Sequence, residues 1–209
     1  MVNLVLLCFL VTLFFIITAW RLVTYLQILA IQGILLFAVA FFSLSSMHTA
    51  NFAFILFETV VVKAVTIPLF VGYILKRNKI TREAEPLIPV FISLVLMVGA
   101  IILTFFLSYA SGFDISDNLF FIVSLATVFT GLFIIMTRRK IITHIMGYLI
   151  IENGVFILAL AVGNEMPMMV NMGILLDVFA SVLTLGIFYN KIGDVFKDGD
   201  VTLLMRLKD

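Results

Sequence analysis

The sequence predicts an all-α, polytopic membrane protein with seven transmembrane helices, its N-terminus outside and its C-terminus in the cytoplasm. Three observations carry that prediction. Of 209 residues, 64% are hydrophobic and only 12% charged, where a soluble domain is about a quarter charged. The apolar residues form seven runs, each able to cross ~30 Å of hydrocarbon at about 1.5 Å of rise per residue. Twelve of the thirteen Lys and Arg residues lie in segments that seven crossings put on one side, and the positive-inside rule makes that side the cytoplasm.

The first run, about Val2–Ala19, lacks the basic segment and small-residue cleavage site of a signal peptide, so it reads as a spanning helix. Arg21 separates it from the second run, about Leu22–Leu44. The third, about Asn51–Leu75, ends at Lys76, Arg77, Lys79 and Arg82. The fourth, about Leu87–Ala110, follows a turn that holds Glu83, Glu85 and Pro86. The fifth, about Leu119–Met136, stops at Arg138-Arg139-Lys140, and the sixth, Ile141–Val162, starts there. The seventh, about Met168–Tyr189, precedes a tail, 191–209, with Lys191, Lys197, Arg206 and Lys208. The opposite loops, Ser45–Ala50, Ser111–Asn118 and Gly163–Pro167, carry no base, only Asp114, Asp117 and Glu165. The chain reads as one transmembrane domain, 1–209, with a four-helix part (1–110), a three-helix part (119–190) and the cytoplasmic tail.

Composition removes several function classes. One cysteine, Cys8, and two histidines, His48 and His144, allow no internal disulfide and no Cys/His cluster for zinc, iron–sulfur or haem. No Gly-rich phosphate loop follows a strand. The bases are used up by topology, so no nucleic-acid partner is expected.

Ionisable groups inside the spans carry the functional signal, because each costs about 2.5–3.5 kcal/mol or more to insert. Lys63 lies about 19 Å of helical rise from Lys76, too deep to reach the interface easily. Glu58 is five residues before it, about 140° away on an α-helix, so each needs a partner on another helix. Glu152 in the sixth run and Asp177 in the seventh also fall near mid-depth. Lys63, Glu152 and Asp177 are therefore expected in one layer. His144, Tyr148 and Glu152 recur every fourth residue and form a proton-active stripe of about 12 Å from the basic end inward. Asp177, Ser181 and Thr184 form a second polar stripe, and Thr59, Lys63 and Thr66 a third. Gly147 and Gly154 invite close helix approach, and Asn51, Gln27 and Gln32 read as interhelical hydrogen-bonding residues. Plainer roles stay open. Membrane Ser and Thr often bond their own backbone, His144 and Tyr148 can be helix-end and packing residues, and the charges can form a structural ion pair.

Arg138-Arg139-Lys140, Gly147-Tyr148, Glu152-Asn153-Gly154 and Leu158-Ala159-Leu160, with Lys63, Pro68 and Asp177, resemble hydrogenase-4 component E. From about residue 119 the chain is also similar to the K-type subunit of complex I and the C-type subunit of multi-subunit Na⁺/H⁺ antiporters. Asp177 takes the place of the second carboxylate of those subunits. The K-type glutamate position is Leu149 here, with Glu152 one turn deeper. The resemblance implies a non-catalytic subunit of a redox-driven complex in a prokaryotic cytoplasmic membrane. Its partners would be lipids, antiporter-like subunits and the redox-adjacent membrane subunit. Iron–sulfur clusters, and nickel–iron in a hydrogenase, would sit in partner subunits, with no cofactor in this chain. Proton transfer is expected at Glu152, Asp177 and Lys63, with Glu58, His144 and Tyr148 as further candidates. A scaffold subunit with no proton path is the alternative.

Overall fold

So apolar a chain must satisfy its backbone N–H and C=O groups internally, and here it does so with helices. The computed structural model describes residues 1–43, 57–77, 87–111 and 115–161, and the single position 179. Every regular element among them is helical: α1 (Val2–Thr18), α2 (Leu22–Ser43), a π-helical segment (Glu58–Thr66) running into α3 (Ile67–Arg77), α4 (Val90–Ser111), α5 (Ile115–Thr137) and α6 (Ile141–Ala161). Four spans, Leu22–Ser43, Val90–Tyr109, Leu119–Thr137 and Ile142–Leu160, are long and apolar enough to cross a bilayer. α1, at 17 residues, stands at the lower limit of length for that. The seventh run with Asp177, Ser181 and Thr184, the tail and residues 78–86 lie outside the described residues.

α1, α2, α6 and α5 pack in a closed ring, each against the next. α4 lies against α5 and α1, and the π segment with α3 lies against α2. Leu13, Ile16, Tyr25, Leu36, Ile142 and Phe156 are among the side chains that fill the centre. The outside is as oily as the inside: Phe91 is 76% exposed and Phe106 68%. Such a surface suits lipid or partner helices and does not suit water.

Glycines set the closest approaches. A Cβ on Gly131 would lie 2.6 Å from the Gly147 carbonyl oxygen, and one on Gly154 would lie 2.9 Å from that of Ser124. α5 and α6 thus meet backbone to backbone in antiparallel order. A Cβ on Gly33 would lie 2.6 Å from the Ala64 Cα, so α2 and the π segment touch in the same way. Threonines bond their own helices as expected, Thr127 to Val123 O and Thr130 to Ala126 O.

The turns gather at one end. α1 stops at Ala19, whose backbone is extended. Buried Arg138 reaches the same place from the α5–α6 turn, donating from Nη2 to Ile17 O at 2.7 Å. That carbonyl is in the last turn of α1 and has no helical partner. The Leu87 N–H donates to Thr137 O at 2.8 Å, fixing the approach to α4 at the same end. Arg21, Arg138, Arg139 and Lys140 therefore share one end of the bundle. Sequence alone places Arg138 and Lys140 in the loop between the fifth and sixth runs; in the structure both are buried, at 4% and 8% exposed, and Arg138 reaches back onto the end of α1.

Candidate functional site

Lys63 and Glu152 meet at the contact between the π segment and α6. The Nζ and Oε1 atoms form an ion pair, and the side chains are 4% and 6% exposed. Two charges far apart in sequence thus lie at one depth, enclosed by protein. Phe156, one turn after Glu152, puts its ring 4.3 Å from the Lys63 Nζ, on the face where the ring quadrupole attracts a cation. Neither Nζ nor Oε1 has a further hydrogen-bond partner among the described residues.

Local sequence explains why Lys63 stands there. Pro68 has no N–H to offer the Ala64 carbonyl, and its ring crowds that oxygen. Ahead of Pro68 the helix winds with i→i+5 bonds, a rare geometry concentrated at functional sites. The Thr66 hydroxyl answers one carbonyl across the same interval, donating to Val61 O at 2.7 Å. The wider turn overrides two α-helical expectations. Positions five apart lie closer together around the axis of a π-helix than the ~140° of an α-helix. Thr59 and Lys63 are buried while Thr66 is exposed, so those three do not make one stripe. The Glu58 side chain lies outside the described ones.

Asn153 points the next way round α6. Its Nδ2 donates to Gln32 Oε1 at 3.1 Å, Gln32 Nε2 donates to Thr12 Oγ1 at 3.0 Å, and Thr12 donates to Phe9 O at 2.6 Å. This buried ladder ties α6, α2 and α1 together beside the ion pair. Gln32 is legible in sequence as an interhelical bonding residue. Thr12, Asn153 and Phe156 gave weaker signals: a polar residue in an apolar run, a neighbour of Glu152, and an aromatic one turn on from it.

His144 and Tyr148 lie on α6 toward the basic end, both half-buried. His144 Nε2 is 2.8 Å from Arg138 O. A carbonyl only accepts, so Nε2 carries the proton and donates. Among the described residues no three His, Cys, Asp or Glu side chains gather as a metal site requires.

The fold and site define a helical bundle suited to a membrane, with a buried ion pair and a neutral polar ladder at its centre. No known family profile matches the chain, and no solved structure does. The chain is similar to a Mycobacterium tuberculosis protein named "Uncharacterized protein Rv0085", 27% identical over 133 residues. The alignment spans 61% of this chain and 59% of that relative.

Proposed function

We propose that the chain is an integral subunit of a redox-driven membrane complex of the complex I and membrane-bound hydrogenase type, in which the Lys63–Glu152 pair handles protons. The observation that carries this reading is the pair itself: two titratable groups paired inside an apolar bundle, where ionisable side chains are functional by default. A carboxylate holds a proton less tightly while a cation is near and more tightly once it leaves. A displacement of Lys63 would therefore change the charge that faces Glu152. The π segment is a natural place for that displacement, because Lys63 is carried on irregular backbone.

In this reading the protein crosses a prokaryotic cytoplasmic membrane seven times, with the basic end inside. Asp177 supplies a second carboxylate, His144 and Tyr148 bring protons from the cytoplasmic end, and Glu58 serves the outer half. Antiporter-like subunits and a redox-adjacent membrane subunit flank the chain, and the redox centres belong to partners. A scaffold reading draws on the Asn153–Gln32–Thr12 ladder and the glycine contacts, which hold helices without titrating.

Glu152→Gln separates the two. In the assembled complex, proton handling predicts continued electron transfer with proton translocation lost. A scaffold predicts both activities retained wherever assembly survives.

A further inference from the structure

A groove of about 520 Å³ opens on the outer surface between α1 and α2, away from the ion pair. Its mouth is Trp20 and Arg21, and its walls include Phe15, Thr18, Ile28 and Ile31. From Arg21 to Ile31 is ten residues, about 15 Å of rise, half the ~30 Å hydrocarbon thickness. The groove therefore runs the depth of one leaflet, from the basic end inward.

Its two ends differ in chemistry. Thr18 Oγ1 donates to Phe14 O and Phe15 O, and Thr12 at the deep end is engaged with Phe9 O and Gln32. The hydroxyls of Thr12 and Thr18 are satisfied within the protein, Thr24 and Gln27 are the other polar residues of the lining, and Phe15, Ile28 and Ile31 leave a largely apolar wall fit for a hydrocarbon chain. At the mouth, Arg21 is exposed and forms no ion pair among the described residues. Trp20 is 54% exposed beside it, the placement of an aromatic at headgroup level. Arg139 and Lys140, at the same end, add positive potential.

We propose that this groove seats one anionic glycerophospholipid of the leaflet at the basic end, its phosphate on Arg21 and an acyl chain along α1 and α2. The proposal rests on the membrane reading of the fold and not on the proton role. The guanidinium forms charge-assisted bonds with phosphate oxygens, and basic pockets between helices on the cytoplasmic side hold such headgroups. A net negative headgroup is preferred over a zwitterionic one because its charge is not offset.

Trp20 is the sole tryptophan of the chain, so its fluorescence reports the groove directly. The test uses the full chain in vesicles of phosphatidylcholine containing dibrominated phosphatidylglycerol or dibrominated phosphatidylcholine. Phosphatidylglycerol should quench Trp20 with about fivefold higher relative affinity. Arg21→Gln should bring the two lipids level, Arg21→Lys should keep most of the preference, and Lys76→Gln should leave it intact. Circular dichroism checks that each variant is folded. Equal quenching in the wild type overturns the proposal, as does a preference that survives Arg21→Gln or falls equally with Lys76→Gln. Absence of quenching by either lipid also overturns it, since protein would then cover the groove.

Discussion

Adding one methyl group at Gly33 tests the helix contact that holds Lys63 in place. The new Cβ would lie 2.6 Å from Ala64 Cα, 2.7 Å from Ala64 N and 2.9 Å from Ala64 Cβ. Carbon atoms rest at about 3.5–4.0 Å, so α2 and the π segment must part by about 1 Å. Backbone cannot rotate away as a side chain can, and overpacking of this kind costs about 1–3 kcal/mol. The displaced residue, Ala64, adjoins Lys63, so the same ångström falls on the ion pair. Gly99→Ala is the control: its Cβ meets nothing within 4 Å, and helix propensity alone stabilises it by up to about 1 kcal/mol. Unfolding of the purified chain by dodecyl sulfate in mixed micelles measures both. Gly33→Ala should unfold at lower dodecyl sulfate fraction than wild type and Gly99→Ala at equal or higher fraction. Ala64→Gly should not rescue Gly33→Ala, because the Ala64 Cα and N would still clash. Equal stability of the Gly33 and Gly99 variants, or full rescue by Ala64→Gly, would refute the backbone contact.

Two other perturbations follow from single contacts. Lys63→Met or Glu152→Leu alone leaves a buried charge unpaired, which destabilises by about 3–5 kcal/mol, while the double variant should recover most of that loss; the same micelle titration run as a double-mutant cycle measures the coupling, and additive losses would mean the two side chains do not interact. Arg138→Gln should lose the bond to Ile17 O and weaken the chain by about 1.5–3 kcal/mol, as for a bond to a charged donor. Its signature is local: amide exchange should speed up in the last turn of α1 and stay unchanged in the middle of α6.

Where hydropathy and charge both speak, the sequence read the elements closely. The sixth run, Ile141–Val162, corresponds to α6 at Ile141–Ala161, and the second, Leu22–Leu44, to α2 at Leu22–Ser43. Runs of that length bounded by Arg or Lys have few alternatives in a bilayer. The π winding at Glu58–Thr66 was hidden, since an apolar run looks the same whether its bonds span four residues or five. Pro68 was the available clue, and it marks a disturbance without stating its form. A common level for Lys63 and Glu152 was legible from helical rise; their pairing was not, since it depends on how α2, α6 and the π segment are rotated. Asn153 lies 121 residues from Gln32, and Ile17 lies 121 residues from Arg138, where only packing brings them together. Arg138 shows the limit of a topological rule: the positive-inside pattern gives a side of the membrane but does not distinguish a solvated base from one buried against a helix end.

For the proposed redox-driven complex, the most direct measurement is infrared difference spectroscopy of the assembly in vesicles, recorded with and without the electron donor. If Glu152 takes up and releases a proton in turnover, the wild type shows a carboxyl carbonyl band that changes with electron flow. That band is missing in Glu152→Gln and shifted in Lys63→Gln. A band that persists unchanged in Glu152→Gln, or a wild type with no such band, would contradict a proton-carrying role and leave the pair as a structural tie between helices.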